Sequence, residues 1–192
     1  MVNLSLHSSF KLNGNSFADK NEFLSYVEIN SIDGFGFLES WFDNNDFVIA
    51  RTSGSTGTPK NIKISKVQML NSASATGEYF DLIKGTKSLL CMSSSFIAGK
   101  MMWVRALSLG WELDVVTVNS NPLEKVTKNY DFAAMVPLQV FNSIDKLNLV
   151  KTLIIGGGVV SKKLQSQLES LSTNVFSTYG MTETVTHIAV KK

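Results

Sequence analysis

Short apolar runs recur along most of this chain with helical patterns between them, and that alternation narrows the fold more than any other feature. Leu89 to Met92, Leu113 to Val118, Phe132 to Val136, Leu153 to Ile155 and Val175 to Phe176 have the length and composition of strands covered on both faces. Between them lie a helix over Gly99 to Leu109, one opened by Pro122 after Asn121, one opened by Pro137, and one capped by Ser161 with Leu164, Leu168 and Leu171 inward. Upstream, Phe47-Val48-Ile49-Ala50 reads as a buried strand, and Asn61 to Ser65 alternates with period two as another. Ser65 and Gln68 make a capping box for a helix with Leu70, Ala73, Gly77 and Phe80 on its inner face. The pattern predicts the α/β class: a mostly parallel twisted sheet with helices on both faces. Residues 1–46, rich in Asn, Ser and Asp, hold two short helices, Asp19 to Val27 and Phe35 to Phe42. The second sets Phe35, Leu38, Trp41 and Phe42 on one side, so 1–46 are expected as a helical and irregular segment packed on the core, with 47–192 as the α/β unit.

Composition excludes several classes. At 192 residues the chain is long enough for one substantial domain and short for two. A net charge of +2 gives no footing for nucleic acid or an anionic membrane. No run approaches the ~20 apolar residues of a membrane span, and the N-terminus lacks the basic and apolar regions of a signal peptide. The single cysteine, Cys91, sits in an apolar run and reads as a buried structural thiol in a reducing compartment, so the expected location is cytoplasmic. His7 and His187 are far apart and no Cys/His cluster accompanies them, which argues against zinc.

In open α/β sheets ligands bind at the carboxyl ends of the strands, and three candidate loops stand there. Arg51-Thr52-Ser53-Gly54-Ser55-Thr56-Gly57-Thr58-Pro59-Lys60 combines hydroxyls, glycines and a terminal lysine. Hydroxyls and exposed N–H groups donate to phosphate oxygens, glycines allow close backbone approach, and a lysine neutralises charge. By composition alone a flexible linker fits as well. A Walker P-loop does not: no Gly-Lys-Ser/Thr unit is present, and a strand rather than a helix follows. The second loop, Gly156-Gly157-Gly158, removes every Cβ from a stretch where a flat ring could lie, although a tight turn explains it equally. The third, Thr178-Tyr179-Gly180-Met181-Thr182-Glu183-Thr184, offers an aromatic face, hydroxyls and a carboxylate. Their agreement in position weighs more than any one of them.

Together, Thr52–Lys60, the glycine triplet and Tyr179-Gly180-Met181-Thr182-Glu183 resemble the adenylate-forming superfamily of acyl- and aryl-CoA synthetases, peptide-synthetase adenylation domains and luciferases. The resemblance covers about Phe47 to Val190 and implies the N-terminal large-domain part of such an enzyme. It implies that Thr52, Ser53, Gly54, Ser55, Thr56, Gly57, Thr58 and Lys60 hold the ATP phosphates, and that Gly156, Gly157, Gly158, Tyr179 and Gly180 frame adenine and acyl group. It further implies that Thr182 contacts the α-phosphate and Glu183 binds Mg²⁺, with Lys60, Thr182 and Glu183 as the catalytic set. The implied partners are a small-molecule carboxylic acid, ATP and coenzyme A, with a homodimer left open.

The family's downstream ribose-gripping aspartate and the lysine of its mobile C-terminal domain find no match, so the chain is expected to be a truncated form, inactive or nearly so alone. Ser93-Ser94-Ser95-Phe96-Ile97-Ala98-Gly99-Lys100 departs from the family's acyl-gate pattern, with Phe96 where many ligases carry histidine. Yet Ile97 to Arg105 resembles compact bacterial o-succinylbenzoate–CoA ligases of menaquinone synthesis. That acid is a dicarboxylate, and its unreacted carboxylate needs a partner. Lys100 and Arg105 are the candidates, Lys100 being favoured with Phe96, Gly99 and Gly157 as substrate contacts, and a solvated surface lysine weighing equally. An adenylation domain loading a carrier protein and a non-catalytic nucleotide-binding protein are the competing readings.

Overall fold

The computed structural model describes residues 4–52, 58 and 60–192. Seven strands form one sheet: β1 (Lys11–Leu12), β4 (Lys87–Leu90), β5 (Glu112–Val115), β6 (Tyr130–Met135), β7 (Val150–Ile155), β8 (Asn174–Gly180) and β9 (His187–Lys191). They stand in the order β1-β5-β4-β6-β7-β8-β9. Every pairing from β1 to β8 is parallel, and β9 returns antiparallel to β8. The α/β class with a mostly parallel sheet is therefore as expected.

Alternation along the central strands sorts their side chains onto two faces. Leu90, Phe132, Ala134 and Ile154 bury on one side with α1 (Lys20–Ile29), α2 (Phe35–Phe42), α3 (Lys66–Tyr79) and α4 (Ile97–Leu109). Leu89, Cys91, Ala133, Met135, Leu153 and Ile155 bury on the other with α5 (Pro137–Asn142) and α6 (Lys162–Leu168). Trp41, Trp103, Trp111 and Phe132 are fully buried on the first side. Burying each such ring contributes about 1.5–3 kcal/mol or more.

Residues 4–46 pack into that core. Phe10, Leu12, Phe23, Val27, Leu38 and Trp41 belong to the same cluster as Trp103, and β1 pairs with β5. Asp19 caps α1 by accepting from the backbone N–H of Asn21 and Glu22 at 2.7 and 3.0 Å, which holds its carboxyl below the ordinary range.

Four local expectations are corrected. Phe47–Ala50 is not a strand of the main sheet: β2 (Phe47–Arg51) pairs only with β3 (Asn61–Ser65) as an antiparallel hairpin, and Ile49 is 48% exposed. Ser65 does precede α3, but its side chain makes no capping bond. Pro122 opens only a turn, because Leu123 and Val126 both bury and the chain enters β6 by Tyr130. Finally, Val175–Phe176 is the middle of a longer strand, so Thr178, Tyr179 and Gly180 lie in β8 rather than in a loop.

Candidate active site

The second and third motifs meet at the carboxyl ends of β7 and β8. The Thr178 hydroxyl donates to the Ile155 carbonyl at 3.0 Å, stitching the end of β8 to the residue that precedes the glycines. A Cβ on Gly156 would sit 3.0 Å from that hydroxyl oxygen, and Gly157 has φ +73°, so both positions suit glycine. Val136 and Pro137, where α5 starts, back the triplet on its other side. The result is a bare backbone ledge, with Gly157 and Gly158 exposed and Tyr179 61% exposed on the neighbouring strand. A flat ring has room against this ledge.

Beyond Gly180 the chain bulges and reverses. A 3-10 turn, Thr182–Thr184, follows Met181, whose N–H donates to Thr184 Oγ1 at 2.9 Å. Thr182 is half-buried, while the Glu183 carboxylate is exposed and without a hydrogen-bond partner among the described residues. Val185 then takes φ +70°, a conformation that costs a β-branched residue roughly 1–3 kcal/mol. Among the described residues no cluster of three His, Cys, Asp or Glu could enclose a metal. A lone exposed carboxylate suits Mg²⁺, which takes one or two carboxylates together with substrate phosphates.

In sequence the first motif lies between β2 and β3. Ser53, Gly54, Ser55, Thr56, Gly57 and Pro59 lie outside the described residues. Its neck is closed by two bonds: Thr52 N–H to the Lys60 carbonyl at 2.9 Å, and Lys60 N–H to Thr52 Oγ1 at 3.0 Å. Thr58 and the Lys60 side chain are exposed. At the hairpin's base, buried Lys66 donates to Asp43 Oδ1 at 2.7 Å and to the Asp43 carbonyl at 2.9 Å. Helix α3, which continues the hairpin, reaches the chain just past the third motif, where Ser72 and Thr186 share a hydroxyl hydrogen bond of 2.6 Å.

The two cationic candidates on α4 differ sharply. Lys100 is 8% exposed, not a surface lysine, and its ammonium donates to the Ser94 carbonyl while lying 5.0 Å from the Phe37 ring. Arg105 is 3% exposed; its nearest polar contact is Nη1 to Met102 Sδ at 3.8 Å, and Nε has no partner among the described residues. Burial pulls its guanidinium down to about 10. His187 on β9 faces it: burial first, then the Arg105 charge, holds the imidazole down to about 4. Sequence reasoning favoured Lys100 because it stands nearer the Ile97–Gly99 turn. Nothing in the spacing revealed that its ammonium is already bonded, or that Arg105 points inward against β9. Phe96 is 55% exposed at the start of α4, and Gly99 packs so tightly on the Ser93 peptide that a Cβ would lie 2.3 Å from its carbonyl oxygen.

A mostly parallel sheet carries a glycine ledge and an exposed carboxylate beyond neighbouring strands, and the chain belongs to the AMP-binding enzyme family, whose model matches residues 15–192. Among its relatives, the chain is 26% identical over 181 residues to the 2-succinylbenzoate–CoA ligase of Oceanobacillus iheyensis, covering 88% of this chain and 37% of that protein. A probable 2-succinylbenzoate–CoA ligase of Mycobacterium tuberculosis is 27% identical over 157 residues, covering 74% and 40% respectively. In structure, the chain is similar to an acyl-CoA synthetase (AMP-forming)/AMP-acid ligase II-like protein from Dyadobacter fermentans, with TM-score 0.75 and 38% identity over 82% of this chain and 47% of that one. The Bacillus subtilis O-succinylbenzoate coenzyme A synthetase in complex with ATP and magnesium ion shares the fold, with TM-score 0.67 and 19% identity over 75% of this chain and 32% of that one. The chain thus spans about two fifths of the length of the curated ligases it matches.

Proposed function

We propose that the protein activates a carboxylic acid with ATP and passes the acyl group to coenzyme A, with o-succinylbenzoate as the preferred acid. A carboxylate oxygen attacks the α-phosphorus, the bond to the bridging oxygen of the β-phosphate breaks, and pyrophosphate leaves. The thiol then attacks the acyl carbon and AMP departs. The observation that carries this reading is the hydrogen bond from Thr178 to the Ile155 carbonyl, which joins the Gly156–Gly158 ledge to the Thr178–Glu183 segment. The ledge and Tyr179 would hold adenine, and the Thr182 hydroxyl would donate to the α-phosphate. Thr52 to Lys60 would hold the outer phosphates, with Lys60 supplying a positive charge. Glu183 would hold Mg²⁺, which neutralises phosphate charge as it develops. Aligned donors and charge neutralisation dominate such a step.

The choice of acid rests on the two curated ligases and on Arg105. A buried guanidinium without a carboxylate partner among the described residues suits the second carboxylate of a dicarboxylic acid. Arg105 replaces Lys100 in this role, since the Lys100 ammonium already serves the Ser94 carbonyl. Residues 1–192 alone are proposed to react slowly, because the ribose-gripping aspartate and late lysine of the family have no counterpart among them.

Pyrophosphate exchange into ATP tests the reading, comparing residues 1–192 with a longer form that carries those elements. Exchange dependent on o-succinylbenzoate, and weaker with the analogue lacking the second carboxylate, is the expected result. Equal exchange with both acids removes the dicarboxylate; no exchange with any carboxylate removes the class. A carrier-protein acceptor is the second reading, supported by 27% identity over 147 residues to a nonribosomal peptide synthetase of Cordyceps militaris, 73% of this chain and 3% of that protein. Transfer to a carrier's thiol in place of coenzyme A would favour it.

A further inference from the structure

The segment Ser93–Phe96, leaving the carboxyl end of β4, is held by a polar network centred on buried Ser94. All three polar groups of Ser94 are engaged. Its N–H donates to Asp33 Oδ2 at 2.6 Å, its hydroxyl oxygen accepts from Trp103 Nε1 at 3.0 Å, and its carbonyl accepts from the Lys100 ammonium. Asp33 comes from the α1–α2 connection, whereas Lys100 and Trp103 come from successive turns of α4. Ser94, Lys100 and Trp103 are all buried. The network is closely fitted on its outer side too: Gly34 has φ +122°, and a Cβ there would lie 2.6 Å from Trp103 Nε1. Burial disfavours the Lys100 charge, and the nearby Asp33 carboxylate partly offsets that.

We infer that Asp33 and Lys100 are positioning residues that clamp the Ser93–Gly99 turn through Ser94 and so set the place of Phe96 at the mouth of the acid pocket. The inference rests on the adenylating reading for the pocket, but the clamp itself does not. Neither side chain needs to touch substrate. Each fixes one peptide group of a turn whose next residues are free to face a ligand, with Phe96 55% exposed. A carboxylate on the Ser94 N–H and a buried ammonium on the Ser94 carbonyl hold the two successive peptide planes that flank Ser94. Misplacement of a substrate-positioning group by about 1 Å can cost on the order of 10²-fold in rate.

The test uses Lys100→Met and Asp33→Asn in the full-length protein, with Lys100→Arg as the conservative variant. Amide hydrogen exchange of the wild type and each variant is read peptide by peptide. Exchange over residues 93–99 is expected to accelerate at least tenfold in Lys100→Met and Asp33→Asn, and to return toward wild type in Lys100→Arg. Unchanged exchange over 93–99, or acceleration spread evenly along the sheet, overturns the clamp. In pyrophosphate exchange the KM for the acid is expected to rise about tenfold or more in the first two variants, with the KM for ATP within about twofold of wild type. Equal rises in both constants overturn the positioning role. A wild-type enzyme that exchanges with no carboxylate overturns the adenylating reading and the acid role together, and is recognised because local hydrogen exchange still responds to the variants.

Discussion

Arg105→Met separates what the buried guanidinium costs from what it does. Burial holds Arg105 near 10 against an ordinary 12.5, and the side chain stays charged at neutral pH in both the folded and unfolded states. At about 1.36 kcal/mol for each tenfold change in a proton equilibrium, holding that charge unpartnered costs the fold on the order of 3 kcal/mol. Met has similar length, carries no charge and sits among residues such as Met102 and Trp103 on the same helix. Replacing buried ions by apolar side chains of similar volume often stabilises by roughly 1–4 kcal/mol. The variant is therefore expected to be more stable in urea by about 2–3 kcal/mol with an unchanged slope. That gain raises Tm by roughly 4–10 °C for a chain of this size. The difference should be flat from about pH 6 to 9, because Arg105 loses its proton only above that window in either state. Saturation with a dicarboxylate at about 100 times its Kd should restore roughly 2.7 kcal/mol to the wild type and nothing to the variant. A variant less stable than wild type, or equally stabilised by the dicarboxylate, would refute both the uncompensated charge and its proposed use.

Three further outcomes follow from the geometry. His187 takes a proton near 6.5 when unfolded but only near 4 when folded, so the unfolded state binds more protons between those values and stability should fall as pH drops through that window. Urea titrations at pH 7 and pH 5 check this, and His187→Gln should flatten the slope. Cys91, fully buried with its thiol pushed up to about 12, should resist alkylation by iodoacetamide in the native protein and react at once in urea; rapid native labelling would contradict the packing. Gly180→Ala would place a Cβ 2.2 Å from the Thr186 carbonyl oxygen, forcing the β8–β9 bulge apart. A loss of about 1–3 kcal/mol is expected by thermal denaturation, and no loss would mean that the reversal after Gly180 is looser than described.

The sheet was legible in the sequence because its strands are short apolar runs with nothing polar to confuse the period. Leu153-Ile154-Ile155 and Phe132 to Met135 bury on both faces and could be little else. Phe47–Ala50 misled for the same reason: four apolar residues look buried on both sides, yet the hairpin turns Ile49 outward, and only the pairing with β3 reveals it. Pro122 is a sound helix start in isolation, but Leu123 and Val126 are drawn into the core and the helix never propagates. In the candidate site, the glycine ledge and the Thr178–Glu183 motif could be read because their chemistry lies in consecutive residues. The different surroundings of Lys100 and Arg105 could not be read, because they depend on Ser94 and His187, brought near α4 from other parts of the chain.

Strand β1 has one more consequence, and it concerns the order of events during synthesis. Lys11 and Leu12 find their sheet partners only at Glu112 and Leu113, and the Lys11–Glu112 ion pair of 2.7 Å spans 101 residues of sequence. A ribosome must therefore emit Glu112 and Leu113 before the β1 edge can close. Until then Phe10 and Leu12 have no β5 to lie against, although both end fully enclosed. Such long-range closure slows folding and leaves apolar surface available to chaperones on the nascent chain. The amino-terminal segment, first to be made, is among the last parts to find its place.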